Sequence, residues 1–176
     1  SNLGCYKPMS FSAPKGSIFN CDKPMAVNTR TRTGWLIAPN IFSALSKATP
    51  NNVIAYIGLP SMIEVYGFDQ DNKSYHDQLF QGGGQGGSAH GDGKSGVLYP
   101  TSAANTSIEM FENRAPILVL CKEFVIDSGG AGHKRGGLGQ IVKIRKLYDD
   151  NLICKAGIYP NGVMSPINGL FRGKAS

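Results

Sequence analysis

His133, Lys134 and Arg135 sit together inside a glycine run, Asp127-Ser-Gly-Gly-Ala-Gly-His-Lys-Arg-Gly-Gly-Leu-Gly139. Glycine-rich turns can aim main-chain amides at an anion, and an arginine adds a two-pronged donor, so one chemistry open to this segment is to hold an anionic group. The other reading is architectural: the basic residues decorate a connection between two strands, with Arg135 paired to a carboxylate. Glycine serves either purpose, because it tolerates positive φ and lets a second main chain or an anion come close. Asp127 and Ser128 supply an acid and a hydroxyl, but no base is placed beside them, and Asp-Ser before Gly-Gly is ordinary turn chemistry.

A second glycine-dense stretch covers residues 81–96. Within it Gly87-Ser-Ala-His-Gly-Asp-Gly-Lys-Ser95 misses a phosphate-binding P-loop by one residue too many, having five residues instead of four between Gly87 and Gly-Lys-Ser. Gly82-x-Gly84-x-x-Gly87 matches the dinucleotide fingerprint by letter. Both motifs work only between a strand and a helix N-terminus. Gln78-Leu-Phe80 is a poor strand and Tyr99-Pro100 comes too early for a helix, so neither is read as a nucleotide site. His90 and Asp92 could ligate a metal or move a proton, yet two ligands in one loop fall short of a metal centre, and an exposed polar histidine is the plainer account.

The elements that must carry these loops are short. Residues 8–12 and 17–19 read as two strands around a Pro14-Lys-Gly16 turn, and residues 40–48 as an amphipathic helix stopped by Pro50, extended upstream past Pro39 only with a kink. Residues 52–57 and 62–66 read as strands. Thr106-Ser-Ile-Glu109 has a capping-box layout that starts a short helix ending before Pro116. Residues 117–121 and 124–126 fit a buried strand broken at Lys122-Glu123. Val142 and Ile144 alternate with Lys143 and Arg145 in a half-buried strand, and residues 151–159 look like its hairpin partner.

The whole is a chain of 176 residues with 41% hydrophobic and 17% charged side chains, 23 glycines and 10 prolines. That balance argues against disorder and coiled coil. It supports one α+β domain over residues 1–176, strand-rich, with two or so short helices and glycine-rich loops. The net charge of +6 is spread along the chain, and a lone Arg-Gly-Gly is too little for RNA, so no nucleic-acid partner is expected. No apolar run spans a bilayer, so no membrane partner is expected either. Cys5, Cys21, Cys121 and Cys154 form no Cys-x-x-Cys pair; buried free thiols at Cys121 and Cys154 and a cytoplasmic location are the expectation.

The glycine run at 127–139 resembles the Asp-Ser-Gly-Gly-Ala-Gly-x-x-Arg-Gly-Gly-x-Gly segment of the hydantoinase B/oxoprolinase family. Asn2-Leu-Gly-Cys-Tyr-Lys-Pro8, Pro14-Lys-Gly-Ser-Ile-Phe-Asn20, Gly82-Gly-Gly-Gln-Gly86, Asp92-Gly-Lys-Ser-Gly96, Asn105-Thr-Ser-Ile-Glu109 and Gly169-Leu-Phe-Arg-Gly173 are similar to further family elements in the same order. Lys7, Ser107 and Arg172 depart from the usual Arg, Pro and Gly. Because family members are considerably longer, the resemblance implies a C-terminal portion of a B-type subunit. It implies an ATP-dependent cyclic-amide hydrolase of the hydantoin or 5-oxoproline type, or a related ketone carboxylase. A hydantoinase A-type partner would use ATP and Mg, and a metal, if any, would sit in the N-terminal part. This chain is then expected to bind no cofactor and to act as scaffold, with a small-molecule substrate nearby; a non-catalytic docking module is the alternative. Catalytic residues are not assigned. The substrate- or anion-binding candidates are Gln85, His90, Asp92, Ser128, Gly129, Gly130, His133 and Arg135.

Overall fold

The structure, a computed structural model, describes residues 4, 7–27, 30–99, 104–159 and 168–174. Cys5 and most of the Asn2-to-Pro8 element lie outside them, as does Pro100. The chain divides into two compact units, Ser1–Ile37 and Ala38–Ser176.

In the first unit the expected turn is present and the expected strands are not. Gly16 has φ 77°, its N–H donates to the Asn20 carbonyl at 2.8 Å, and Asn20 Nδ2 donates back to Ala13 O at 3.0 Å. A strand needs a partner to satisfy its amides; here only an isolated bridge joins Ser17 to Asn20, and Phe11 and Ile18 are exposed. Helix α1 (Arg30–Trp35) follows. Helix α2 covers Ile37–Leu45, not residues 40–48. Pro39 therefore falls in the first turn, where its missing N–H costs nothing, and the helical break at Leu36 follows Trp35, whose carbonyl the proline ring would meet in a continuous helix.

The second unit is α+β and holds two small antiparallel sheets. One has the order β2-β1-β5, with β1 Ser61–Phe68, β2 Ser74–Gln81 and β5 Cys154–Tyr159; the other pairs β3 Ile117–Phe124 with β4 Gln140–Lys146. The β1–β2 hairpin turns on Asp69, whose carboxylate accepts from the Asp71 and Lys73 amides at 3.0 and 2.8 Å, with Asn72 left-handed at φ 58°. β2 is a full strand where the sequence reads a poor one. Its core-facing positions include Asp77 and Gln81 beside Tyr75 and Leu79, so the apolar alternation is hidden.

Between the sheets lies α3 (Ile108–Arg114), capped one residue later than expected. Ser107 Oγ accepts from the Met110 amide at 3.4 Å, while Thr106 Oγ1 accepts from Phe80 N of β2 at 3.2 Å. α3 places Phe111, fully buried, against Ile63, Val65, Tyr75, Leu79, Ala115 and Ile117, with Val119, Val142 and Ile144 partly buried around them. Removing such a ring typically costs about 3–5 kcal/mol, so this cluster anchors both sheets.

Three further expectations are corrected. Residues 52–57 are not a strand: a 3-10 turn covers Pro50–Asn52, and Ile54 makes only an isolated bridge to Ser88. β3 runs unbroken through Lys122-Glu123, with a bulge between Val119 and Cys121. It is half-exposed rather than buried, Leu120 and Phe124 facing outward, because the Phe111 cluster covers only one face of the two-stranded sheet. Cys121 and Cys154 are accordingly half-buried free thiols.

β5 does not pair with β4. Lys146 Nζ gathers the Asp150 carboxylate and the carbonyls of Asp150 and Leu152, turning the chain away from β4. Phe68 N then takes the Ile153 carbonyl at 3.1 Å and lays β5 along β1.

On the outward face of the larger sheet Glu64 accepts from Tyr159 OH at 2.9 Å and meets His76 Nε2 at 2.5 Å, the diagonal contact expected across β1 and β2. The His76 hydrogen bond, then that of Tyr159, hold the Glu64 carboxyl below its ordinary range. A depressed carboxyl stabilises the fold above its unfolded pKa and loses that contribution as pH falls through the folded value. In urea titrations the stability margin of the wild type over Glu64→Gln is therefore expected to shrink as pH drops below about 4; a margin that grows there would contradict the assignment.

Candidate functional site

The two glycine segments form one construction in the second unit. The run at 127–139 connects β3 to β4, closed at its base by Val125 N donating to Gly139 O at 2.9 Å. Ser128 Oγ donates to Val125 O at 2.7 Å and accepts from Gly139 N at 2.8 Å, so this hydroxyl ties the neck of the loop. Against the loop lie residues 84–87 and 93–95. Gln85 N donates to Lys94 O at 2.9 Å, Gly137 N to Gln85 O at 2.8 Å and Gly93 N to Arg135 O at 2.8 Å. Asp92 Oδ1 accepts from Arg135 N at 2.8 Å and Ser95 Oγ from Leu138 N at 2.9 Å. On the far side, Gly86 N donates to Tyr56 O and Ala55 N to Gly87 O.

These segments approach more closely than side chains allow. A Cβ on Gly93 would lie 1.7 Å from Gln85 O, and one on Gly137 would lie 2.2 Å from Lys94 O. The positive-φ role considered for the glycine run does not apply. No glycine from 127 to 139 is left-handed; Asp127 is, at φ 56°. Glycine serves here for main-chain contact, and each hydrogen bond so formed contributes about 0.5–1.5 kcal/mol net.

The amides of residues 135–139 are thus spent inside the protein. Those of residues 130–134 donate to no described residue, and these residues line a cleft of about 360 Å³. Its opposite wall is the segment 168–174, tied in by Lys174 N donating to Ala131 O at 2.8 Å. Among the described residues four basic ones line the cleft, His133, Lys134, Arg172 and Lys174, and no acid does. Tyr56 also lines it, with burial pushing its phenol up to about 12, so it stays protonated and able to donate. Phe171 and Arg172 are left-handed at φ 50° and 70°, which costs a residue bearing a Cβ about 1–2 kcal/mol.

Of the candidates read from the sequence, Gln85, Gly130 and His133 line this cleft. Ser128, Gly129 and Asp92 lie in the framework around it: Ser128 and Asp92 as loop ties, and Gly129 where a Cβ would sit 2.3 Å from Gly136 O. Arg135 turns its guanidinium to Asp127, 3.8 Å away and exposed, and is not in the lining; His90 is exposed in the Ser88-to-Gly91 turn, its amide 3.2 Å from Ser88 Oγ. Tyr56, Arg172 and Lys174 were not among the candidates. For Arg172 a signal existed, an arginine standing where the resembling pattern has glycine.

A strand does precede Gly82, but the next helix begins only at Ile108, so the glycine loop lacks the helix N-terminus a P-loop or dinucleotide site requires. Among the described residues no three His, Cys, Asp or Glu side chains converge as a metal would need, and no helix is long and apolar enough to cross a membrane.

Two alanine substitutions separate contact from mere flexibility. Gly93→Ala must push the Gln85 carbonyl aside and is expected to lower unfolding stability by about 2–4 kcal/mol. At Gly91, where an added Cβ meets nothing within 4 Å, Gly91→Ala should change it by less than about 0.5 kcal/mol. Equal effects in urea denaturation would refute the interlock.

The profile of the Hydantoinase B/oxoprolinase family matches residues 1–176. A caprolactamase subunit beta from Pseudomonas jessenii is 30% identical over 155 residues, covering 83% of this chain and 27% of that protein. A 5-oxoprolinase 1 from Arabidopsis thaliana is 26% identical over 179 residues, covering 96% of this chain and 13% of that protein. The chain therefore spans about a quarter or less of the length of these relatives. A solved chain of acetone carboxylase, from a nucleotide-free structure on ATP-dependent acetone carboxylation, aligns with TM-score 0.49 and 24% identity over 57% of this chain and 14% of that one. With its profile matched from end to end and its two glycine segments joined into a single framework, the chain belongs to the hydantoinase B/oxoprolinase family.

Proposed function

We propose that this chain is part of an ATP-dependent cyclic-amide hydrolase, acting in the cytoplasm with an ATP-using subunit of the hydantoinase A type. The observation that carries the reading is the family match over the whole chain, supported by relatives named for opening caprolactam and 5-oxoproline. A ring amide resists water because its oxygen and nitrogen are poor leaving groups. Phosphorylating the oxygen at the partner, at the expense of ATP, makes the ring carbon electrophilic: water adds there, the C–N bond breaks with the nitrogen leaving as a protonated amine, and the acyl phosphate so formed is hydrolysed to a carboxylate and inorganic phosphate. The ATP and magnesium belong at the partner on this reading, since among the described residues no helix starts directly after the glycine loop to receive phosphates. A metal, where the reaction uses one, belongs in the N-terminal part of the subunit on this reading. The part played by this chain is a rigid framework and one wall of a pocket.

The test is to combine the complete subunit with its ATP-using partner and follow ring opening of hydantoin, 5-oxoproline and caprolactam together with ATP consumption. Turnover of at least one lactam, stoichiometric with ATP, is expected. ATP-coupled turnover that appears only with a ketone and bicarbonate would replace the hydrolase reading with a carboxylase, and no ATP-coupled turnover of either class would leave a docking role.

A further inference from the structure

We propose that the cleft between the loop at 130–134 and the segment at 168–174 binds a small anionic oxygen group, a carboxylate or a phosphoryl group, and that Arg172 is its specificity-determining cation. The inference rests on the functional reading above for the identity of that anion, and on geometry for the site itself.

Three independent observations converge on this cleft. First, its charge has one sign: Lys134, Arg172 and Lys174 pair with no carboxylate among the described residues, and no Asp or Glu lines the wall. Clustered cations without counter-charges repel one another, and an anion placed between them removes that repulsion. Second, the amides of residues 130–134 donate to no described residue, in a loop whose next five amides all have protein acceptors. The interlock has sorted the run into a half whose amides are bonded and a half whose amides donate to no described residue, and the residues of the second half line the cleft. Third, Arg172 is held at φ 70°, where glycine would fit without strain, and among the described residues its side chain has no ion-pair partner that offsets this. Strain of this kind persists where the site uses the side chain. The guanidinium brings a planar pair of donors that matches a carboxylate or phosphoryl group, which a lysine does not reproduce. At about 360 Å³ the cleft is at the small end of ligand pockets, suited to a metabolite-sized molecule.

The test uses inorganic phosphate and glutarate as probes, titrated separately into the protein by calorimetry at low ionic strength, with Tm measured for every variant. At least one probe is expected to bind saturably to the wild type, with affinity falling as salt rises. A response to phosphate alone assigns the cleft to a phosphorylated species, and a response to glutarate alone to a carboxylate-bearing one. Arg172→Gly is expected to weaken binding about tenfold or more, the loss of a charge-assisted pair, while its Tm stays level or rises because the left-handed residue is now glycine. Arg172→Lys should bind at an intermediate level. The proposal is overturned if neither probe binds, if Arg172→Gly binds as well as the wild type, or if Arg172→Gly lowers Tm along with binding, which would make the arginine structural. None of these readouts involves ATP or the partner. Binding without lactam turnover would therefore sink only the hydrolase reading, and turnover without binding only this one.

Discussion

Main chain packed directly on main chain is the constraint from which the rest of the larger unit follows. Gln85 occupies the middle of that contact, donating to Lys94 and accepting from Gly137, while Gly93 reaches Arg135. A Cβ at Gly93 or Gly137 would overlap a carbonyl oxygen outright, so these positions are glycine for steric reasons that no other residue meets. Glycine carries a conformational-entropy cost on folding of roughly 0.5–1 kcal/mol relative to alanine. Buried amides left without acceptors would cost more, about 1–3 kcal/mol each, and the interlock supplies those acceptors.

The same contact decides where chemistry is open. By consuming the amides of residues 135–139 it leaves the preceding half of the loop as the polar surface of the cleft, and by drawing Arg135 toward Asp92 and Asp127 it takes that arginine out of the lining. The basic residues that remain, His133, Lys134, Arg172 and Lys174, come from two segments far apart in sequence. Framework and candidate pocket are therefore two faces of one arrangement. Phe111 and its neighbours hold β2 and β3, and each of those strands leads into a glycine segment.

The sequence reveals the parts of this arrangement that depend on local pattern. β1 shows as a β-branched and aromatic run and β4 by its alternation, Ser107 and Glu109 announce a helix start, and the glycine run stands out as a backbone device. β2 is obscured because Asp77 and Gln81 occupy its inward face. β5 is assigned the wrong partner because Asp149-Asp150-Asn151 has hairpin chemistry, whereas Lys146 uses that turn to redirect the chain. Contact between glycine segments some forty residues apart has no periodic signature, so close approach and positive φ could not be separated beforehand. Lys174 has no local signature for the same reason, its place in the cleft being set by tertiary contact with Ala131, whereas Arg172 stands out in the sequence only as an arginine in a glycine position.

The account's central claim is that one half of the glycine loop is locked by main-chain contact and the other half is left open. Native-state hydrogen exchange resolved by residue tests it most directly. The amides of Gln85, Gly93, Gly137 and Gly139 should exchange only through large-scale opening, slowly and with similar protection, while those of residues 131–134 exchange at close to unstructured rates. Rapid exchange at Gln85, Gly93 and Gly137, or uniform protection across the whole of residues 129–139, would contradict it.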